Sequence, residues 1–399
     1  MRIPLFFTFL IWGTLVSGQT AGTATFTGSA KCGGCHAAIY TRWKKTLMAN
    51  VLQDVKAKPE AILGDFSKPN EFVTFKKEDI VFTYGSKWKQ RFFTKVGNDY
   101  FALPAQWDVK AGMWRRYYVR DGTDWWTKHY PAEQMQRPTG PTCDGCHSVN
   151  FNTKDNSVTE WNVGCEKCHG AGSDHAAAPS KATIVNPARL DFVRSNDVCI
   201  QCHSEGRPLN NPVNGRYYAW PVGYQPGARL SDYWQLEEHK LGEKSFTHYP
   251  EGSGIKNRMQ GNDFVQSVMH NRGVKCSSCH DVHGTGNNAD LIKPGSATCL
   301  ECHGPESPNG PRQPMAMHTQ HKDGSAGSEC AACHMPQIAS EIEGTNVRSH
   351  TFRFIPPSDS EKYKVPNACV ICHKGKSNDW AARELNKWPH VSPWRVGGK

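Results

Sequence analysis

The chain has few residues that could form a hydrophobic core. Only 38% of its 399 residues are Ala, Val, Ile, Leu, Met, Phe, Trp, Tyr or Cys, and the mean hydropathy is −0.62. The 36 glycines and 25 prolines also disfavour long helices. A chain of this length normally forms two or three domains, each with its own core. Part of the core therefore has to come from a source other than side chains.

No cysteine lies outside one repeated motif. CxxCH is the attachment signature of a c-type haem, because its two thiols bond to the two vinyl groups of one porphyrin and its histidine becomes the proximal ligand of the iron. The motif occurs eight times and is numbered here 1 to 8 in chain order. The residues are Cys32, Cys35 and His36; Cys143, Cys146 and His147; Cys165, Cys168 and His169; Cys199, Cys202 and His203; Cys276, Cys279 and His280; Cys299, Cys302 and His303; Cys330, Cys333 and His334; and Cys369, Cys372 and His373.

Two other uses of paired cysteines explain this pattern poorly. A structural zinc site closes a tetrahedron of four ligands, and it gives no reason for a histidine after every second cysteine. Vicinal CxxC pairs do not join distant segments as a disulfide framework does. The sequence therefore predicts eight covalently attached haems c, whose large apolar porphyrins replace much of the missing core.

Long apolar runs are absent after the first 18 residues, so no later segment is expected to span a bilayer. Residues 1–18 combine one arginine, an apolar run and two small residues at the end, which predicts a signal peptide. An uncleaved membrane anchor is the alternative. Haem attachment to CxxCH takes place after export. Both features therefore predict a periplasmic or cell-surface protein.

Basic residues outnumber acidic ones by 47 to 37, which gives a formal net charge of +10. This excess alone would suit nucleic acid or an anionic membrane. Eight haems, however, bring up to sixteen propionates, which more than offset it. The lysines and arginines are therefore interpreted as propionate partners, and nucleic-acid binding is excluded. A peripheral association with a membrane stays open.

The segment between motifs 1 and 2 differs in pattern from the remainder. Apolar residues recur every four positions across 39–51, which predicts a helix. The apolar period becomes two at 72–75 and again within 80–119, which predicts a small antiparallel sheet. Further helices are predicted near 263–270, with Gly273 as its C-cap, and at 378–388.

The predicted fold is irregular, mainly coil and short α-helices wrapped around eight c-type haems, with a small antiparallel β insertion. Motifs 2 to 4 are spaced by 22 and 34 residues and motifs 5 to 7 by 23 and 31, which suggests two similar three-haem units. The predicted domains are a signal peptide at 1–18, an N-terminal first-haem segment at 19–69, the β insertion at 70–122, a first haem cluster and linker at 123–262, and a second haem cluster at 263–399.

The sixth ligand of each iron decides what the protein can do. An iron with histidine on both sides can only pass electrons, whereas an iron with an open side can bind a substrate. Ten histidines lie outside the motifs, enough to saturate eight irons. They are His129, His175, His239, His248, His270, His283, His318, His321, His350 and His390.

Position separates these histidines. His175 and His283 follow motif histidines too closely to wrap around the same porphyrin, so each is expected to serve a neighbouring haem. His318 and His321 are three residues apart, so they would share one face if the segment is helical, and they would serve two adjacent irons or one. His239, beside charged residues, is expected to be solvated. The roles of His129, His248 and His390 are left open between ligand and surface residue.

Met48 is a further candidate ligand, since a thioether raises the reduction potential relative to histidine. Twelve residues of helix would place it ~18 Å from His36. It could therefore not ligate the haem of motif 1. A core methionine is the alternative, and both stay open.

Residues 164–170 with His175, 276–283, 318–336, 348–352 and 366–369 resemble bacterial multihaem cytochromes c of the doubled-CxxCH group. That group is related to the tetrahaem electron acceptor of hydroxylamine oxidoreductase and to haem domains that precede tetratricopeptide repeats. The group commonly has a ligating histidine where this chain has Met48, which would leave one haem either His/Met-ligated or open. The resemblance implies axial ligation, to haems other than the nearest in sequence, by His175, His270, His283, His318, His321 and His350.

These features predict an exported octahaem cytochrome that transfers electrons along a chain of bound haems, in anaerobic respiration or extracellular electron transfer. The expected partners are redox proteins, either other cytochromes or a quinol-oxidising complex, and no catalytic residue is predicted. One alternative is an oxidoreductase that acts on nitrogen or sulfur oxyanions or hydroxylamine at one open haem, although the chain has no CxxCK motif. Another is a subunit of a cytochrome filament, and a homo-oligomer is also compatible with the sequence.

Overall fold

A computed structural model of the chain describes residues 24–117, 138–311 and 313–389. The predicted signal peptide and two candidate ligands, His129 and His390, lie outside the described residues. Within these three ranges, no helix is both long enough and apolar enough to cross a membrane.

The helices are short and are separated by irregular loops. The longest of those described, Phe192–Ile200 and Asn378–Asn386, have nine residues each, and helices of this length are only marginally stable alone. The predicted irregular architecture of coil and short helices is therefore confirmed. In chain order, α1 to α14 are Ser29–Gly33, Ala37–Trp43, Gly145–His147, Glu166–His169, Ser173–Ala177, Phe192–Ile200, Gln260–Val265, Val268–Asn271, Ala297–His303, Met315–Thr319, Cys330–His334, Pro357–Tyr363, Ala368–Cys372 and Asn378–Asn386.

Single turns of tighter or wider helix lie between these elements. The turns of 3-10 helix are Met48–Asn50, Pro59–Ala61, Lys77–Asp79, Pro187–Arg189, Leu230–Asp232, Cys276–Ser278, Asn288–Asp290 and Ala326–Ser328. A turn of π-helix, Gly140–Asp144, leads into motif 2.

The helix predicted to continue through Val51 ends at Trp43 instead. Thr46 Oγ1 donates to the carbonyl oxygen of Trp43 at 2.8 Å, and Asn50 Nδ2 donates to the carbonyl oxygens of Lys44 at 2.7 Å and Thr46 at 2.9 Å. These side chains occupy carbonyl groups that a continuing helix would use. The chain therefore leaves the helix and turns towards the first strand.

The helix predicted near 263–270 is divided into α7 and α8. Ser267 has an extended backbone between them, and its hydroxyl accepts the backbone N–H of His270 at 3.1 Å, so it caps α8. Gly273 follows with a φ of 82°, as expected of a residue that ends a helix. α14 begins at Asn378 as predicted and ends two residues before Trp388.

One antiparallel sheet contains five of the described strands. Strands β1 to β5, in that order across the sheet, are Leu52–Asp54, Phe82–Tyr84, Lys89–Val96, Asp99–Asp108 and Met113–Arg116. Gly97 and Asn98 form the turn between β3 and β4, where the positive φ of Gly97, 61°, suits a tight hairpin. The predicted antiparallel β insertion is confirmed, and its first strand begins earlier than residue 70.

Both faces of this sheet are covered. On one face, side chains that include Phe82 and Phe93 pack with Cys143 of motif 2 and with Trp161. On the other face, residues from 55–75 pack over Phe92 and Trp114. The prediction of a strand at 72–75 is wrong. This segment does not pair with an edge strand, and its apolar side chains cover the second face of the sheet. The sheet therefore forms one wall of motif 2.

Away from the sheet, the apolar clusters are small. One contains Ile200, Tyr224, Leu230 and Trp234, and another contains Ile338, Ile355 and Val365. The remaining described strands form two-stranded antiparallel ribbons. They are β6 Ser148–Val149 with β7 Glu160–Trp161, β8 Gly206–Pro208 with β9 Trp234–Leu236, and β10 Gln337–Ile342 with β11 Thr345–Arg348.

The residues before motif 1 are held against motif 3 by a buried carboxylate. Glu166 is 2% exposed and accepts the backbone N–H groups of Thr27 at 2.9 Å, Gly28 at 2.8 Å and Gly172 at 2.8 Å. Hydrogen bonds to an ionised carboxylate are stronger than those between neutral groups. These bonds therefore fix the start of the described chain on a motif that is distant in sequence.

We expect Glu166→Ala to lower the free energy of unfolding by about 3 kcal/mol, because the buried N–H groups lose their acceptor. Urea denaturation of the haem-loaded protein, followed by far-UV circular dichroism, measures this change. Glu71→Ala is the matched control, since Glu71 is exposed and its loss should change the free energy by less than about 0.5 kcal/mol. Equal effects of the two substitutions would contradict the role of Glu166.

Candidate haem sites

Each CxxCH motif folds so that its reactive side chains can share one side of a turn. The backbone N–H of the motif histidine donates to the carbonyl oxygen of the first cysteine at His36, His169, His203, His280 and His373, over 2.7 to 3.0 Å. Residues at i, i+3 and i+4 of a helical turn lie on one face. The two thiols and the imidazole can therefore reach the edge and the iron of one porphyrin. None of the sixteen cysteines is in a disulfide bond.

Four motif histidines each face a histidine from outside the motifs. In each pair, the ring centroids are 6.1 to 6.3 Å apart. The pairs are His36 with His175 at 6.3 Å and an interplanar angle of 11°, His169 with His283 at 6.2 Å and 17°, His334 with His318 at 6.3 Å and 4°, and His373 with His321 at 6.1 Å and 34°.

This separation is the one that an iron between two imidazoles requires. A metal–nitrogen bond to histidine is about 2 Å long, and the coordinating nitrogen lies about 1 Å from the ring centroid, so two axial imidazoles place their centroids about 6 Å apart. The four pairs therefore fit bis-histidine ligation at motifs 1, 3, 7 and 8. His318 and His321 face different motifs, so the pair can serve two irons.

The partners mostly come from remote parts of the sequence. His175 follows motif 3 but faces motif 1, and His283 follows motif 5 but faces motif 3. His318 faces motif 7, and the histidines of motifs 6 and 7 lie at nearly equal sequence distances on either side of it. Sequence spacing could not decide this case, since α10, which carries His318, lies between motifs 6 and 7.

Hydrogen bonds at Nδ1 orient many of these rings. A carbonyl oxygen can only accept, so a ring nitrogen bonded to it carries the proton, and Nε2 is left as the nitrogen that can ligate iron. These Nδ1 bonds run from His169 to Val185 (2.7 Å), His280 to Ala289 (2.8 Å), His303 to Asn309 (2.9 Å), His175 to Ser180 (3.1 Å), His321 to Thr319 (2.5 Å) and His350 to Arg348 (3.2 Å).

His239 has the opposite arrangement. Its Nε2 donates to the carbonyl oxygen of Pro250 at 2.9 Å, so the nitrogen that usually ligates iron is occupied. The ring lies 5.6 Å from that of His248, which is 1% exposed and has its Nδ1 bonded to Thr247 Oγ1 at 3.0 Å. The hydrogen bond of His248 is therefore at Nδ1, whereas that of His239 is at Nε2.

His350 and His270 lie beside motifs without forming one of the facing pairs among the described residues. His350 interacts electrostatically with His280 and more weakly with His203, which places it between motifs 4 and 5. His270 packs edge-on against Phe192 and Phe264, and its buried Nδ1 has no partner among the described residues. Ligation by these two histidines stays a prediction.

Motif 2 has different surroundings. The ring of His147 is buried 5.3 Å from that of Tyr84, and its Nδ1 has no hydrogen-bond partner in the described part of the chain. The hydroxyls of Tyr84 and Thr139 donate to Asp144 at 2.5 and 2.6 Å. Burial raises the pKa of Asp144 to about 6 and lowers that of His147 to about 4. An imidazole without an acceptor at Nδ1 is a less basic ligand than one with an acceptor.

Met48 lies beside motif 3. It begins a turn of 3-10 helix, and its carbonyl oxygen accepts the backbone N–H of Val163 at 3.2 Å. Its side chain is half-buried. The two predicted roles of Met48, haem ligand or core residue, both stay predictions. The side chain that faces His36 is the ring of His175.

Cysteines of different motifs lie next to one another. The first cysteines of motifs 1 and 3, 4 and 5, and 6 and 7 are within hydrogen-bonding distance, as are the second cysteines of motifs 2 and 4. The second cysteines of motifs 3, 5 and 7 also interact electrostatically with cysteines of motifs 4, 6 and 8. Because each thiol would attach to the edge of a porphyrin, haems bound at these motifs would have neighbouring edges close together.

One hydrogen bond recurs in three of these contacts. A polar side chain three residues before the first cysteine of one motif accepts the backbone N–H of the first cysteine of another. Ser29 accepts from Cys165 at 2.8 Å, Asn196 from Cys276 at 2.8 Å and Ser296 from Cys330 at 2.9 Å. Sequence reasoning missed these residues, although their shared offset from the motif was a signal that could have found them.

Eight turns that each bring two thiols and an imidazole to one side are a scaffold for several haems, and the chain is a multihaem c-type cytochrome. More particularly, part of it is similar to proteins with the doubled CXXCH motif. The family model of that description matches residues 270–308, and the model of cytochrome c3 matches residues 136–212.

Curated relatives share part of the chain. The dissimilatory sulfite reductase MccA of Wolinella succinogenes is 24% identical over 264 residues, which cover 56% of this chain and 31% of that protein. The multihaem cytochrome MtrA of Shewanella baltica is 22% identical over 147 residues, which cover 35% of this chain and 41% of that protein. The chain therefore spans less than half the length of either relative.

Solved structures match over most of the chain. The outer cell wall cytochrome OcwA has a TM-score of 0.73 at 22% identity, over 91% of this chain and 86% of that chain. An undecahaem cytochrome from the S-layer of Carboxydothermus ferrireducens has a TM-score of 0.50 at 17% identity, over 91% of this chain and 60% of that chain. At these identities, the similarity concerns the fold.

We expect His175→Ala to convert one low-spin haem to high spin, because the ring that faces His36 is lost. Low-temperature EPR spectra of the variant and the parent protein, integrated at equal haem concentration, measure the numbers of low-spin and high-spin haems. His239→Ala is the control and should leave the count unchanged, since its Nε2 is already bonded to a carbonyl. An unchanged spin count in His175→Ala would contradict this pairing.

Proposed function

We propose that the protein is an exported octahaem c-type cytochrome that transfers electrons along a line of covalently bound haems, in anaerobic respiration or extracellular electron transfer. Haem c supplies an iron that alternates between the ferric and ferrous states. The residues of the chain set the order, spacing and potential of the haems. The sixteen motif cysteines attach the haems, and the eight motif histidines are the proximal ligands.

The four facing pairs support this role over substrate conversion. We assign His175, His283, His318 and His321 as the sixth ligands at motifs 1, 3, 7 and 8. An iron with two histidine ligands is saturated, so it passes electrons but does not bind a substrate. His270 and His350 stay candidates for motifs 4 and 5, which they adjoin.

The contacts between cysteines are the single observation on which the proposal depends. They connect the motifs in the order 1, 3, 4, 5, 6, 7 and 8, with motif 2 beside motif 4. Electron transfer between cofactors falls steeply with distance, so a line in which each motif lies near the next favours conduction. Motif 2 is a side branch of this line.

Exposure at the two ends of the line supports transfer to and from partners. Cys35 of motif 1 and Cys372 of motif 8 are exposed, and so is Cys302 of motif 6. Electrons can therefore enter at one end and leave at the other. The partners proposed are other cytochromes or a quinol-oxidising complex, and the proposed location is the periplasm or cell surface, which agrees with the outer cell wall named for OcwA.

Haem content tests the number of sites. Expressed in a host that attaches haem after export, the protein should contain about eight haems per chain, one for each motif. A pyridine haemochrome assay and intact-protein mass spectrometry measure this number. Cys143→Ser/Cys146→Ser should lower it by one without affecting the other motifs. A count well below eight in the parent protein would contradict the proposal.

The spin state and turnover of the same preparation test the alternative of an enzyme. A carrier should show low-spin irons and no turnover of nitrite, hydroxylamine or sulfite. A high-spin iron together with turnover of one of these substrates would instead support an oxidoreductase with one open haem.

The order of the haems predicts different consequences of losing motif 5 and motif 2. Cys276→Ser/Cys279→Ser should abolish most of the conductance of a protein junction, because it separates motifs 1 to 4 from motifs 6 to 8. Cys143→Ser/Cys146→Ser should largely preserve the conductance, because motif 2 is a branch. Both variants are compared after a haem assay confirms seven haems. Equal conductance in the two variants would contradict the order.

A further inference from the structure

One of the facing histidines is bonded to a carboxylate instead of a carbonyl group. Oδ1 of Asp281 accepts the Nδ1 proton of His283 at 3.1 Å and the backbone N–H of the same residue at 3.1 Å. The other Nδ1 bonds described in the facing pairs, at His169, His175 and His321, go to neutral backbone carbonyl oxygens. His283 therefore differs from these rings in the charge of its acceptor.

A cation holds the same carboxylate from its other side. Nη1 of Arg42, in α2, donates to Oδ2 of Asp281 at 2.9 Å and to the carbonyl oxygen of Gly284 at 2.9 Å. Gly284 has a φ of 96°, and a Cβ there would lie 2.8 Å from the carbonyl oxygen of Arg42. The loop after motif 5 is thus held closely against the helix after motif 1. Hydrogen bonds connect Arg42 to Asp281 and Asp281 to His283, and His283 faces His169 of motif 3.

We propose that Asp281 is a positioning residue that lowers the reduction potential of the haem at motif 3 through His283, and that Arg42 limits this effect. The inference rests on the proposed ligation of that haem by His169 and His283. A carboxylate that accepts the Nδ1 proton makes the imidazole a more basic ligand, and a more basic ligand stabilises ferric iron more than ferrous iron. The guanidinium of Arg42 withdraws part of that charge, so it has the opposite effect.

The position of motif 3 in the proposed line makes its reduction potential important for electron transfer. It is the second site of the proposed line, between motifs 1 and 4, so its potential sets the driving force of the first internal electron step. Motif 2 is the opposite case, because the Nδ1 of His147 has no acceptor in the described residues. The side branch should therefore have a higher potential than a haem on the main line whose ligand is bonded to Asp281.

A purely structural ion pair is the competing explanation. The side chains of Arg42 and Asp281 are 48% and 30% exposed, and ion pairs at such positions contribute little to stability. In that case, loss of Arg42 would loosen the loop without a directed change in potential. The two explanations differ in sign, because tuning predicts opposite shifts when the carboxylate and the guanidinium are removed separately.

The test is a spectroelectrochemical titration of the haem-loaded parent, Asp281→Asn and Arg42→Gln, monitored by EPR. The haem at motif 3 is identified as the low-spin signal that His283→Ala converts to high spin. Asp281→Asn should raise its potential and Arg42→Gln should lower it, each by about tenfold in the equilibrium constant for reduction, or about 59 mV for one electron. Lys45→Gln, which removes an exposed charge without a bond to Asp281, should shift it much less.

The outcomes separate this inference from the proposed function. Shifts of the same sign in both variants, no shift in either with the low-spin signal intact, or an equal shift in Lys45→Gln would overturn the role of Asp281 alone. A parent protein in which His283→Ala changes no spin state would overturn the ligation on which the inference rests.

Discussion

The pairing of imidazole rings from distant segments, across a gap that fits one iron, is the constraint on which the rest of the structure depends. His36 meets His175 and His169 meets His283 at centroid separations of 6.3 and 6.2 Å. An iron bound by both rings of a pair would add a direct bond between segments that are distant in sequence. Because such ligation is coupled to folding, short helices and small apolar clusters suffice for the remainder.

The same constraint explains why polar contacts concentrate at the motifs. Ser29, Asn196 and Ser296 each accept the N–H of a cysteine in another motif, and Glu166 holds the residues before motif 1 on motif 3. These bonds fix neighbouring motifs against one another. The five-stranded sheet is the exception, because apolar side chains cover both of its faces. One of these faces packs against Cys143 of motif 2.

Ligand chemistry is graded along the chain by the groups that the imidazoles meet at Nδ1. A carboxylate at His283, carbonyl oxygens at His169 and His175, and no acceptor at His147 would give a series of decreasing basicity if these imidazoles ligate iron as proposed. In the proposed function the covalent cofactor is the same at every motif, so these outer contacts are one means by which the fold would distinguish one haem from another.

The sequence by itself determined what depends on neighbours along the chain. The two thiols and the imidazole of a motif are within one helical turn, so CxxCH predicts the attachment sites from local sequence, and alternation predicts the sheet. Tertiary structure decided which imidazole meets which motif, because a sixth ligand needs only the right position and orientation, whatever its place in the chain. Thus His318 faces motif 7, and motif 4 adjoins motif 5 although the two were predicted to belong to different units. In the same way, Asp281 forms an ion pair with Arg42, which is distant in sequence.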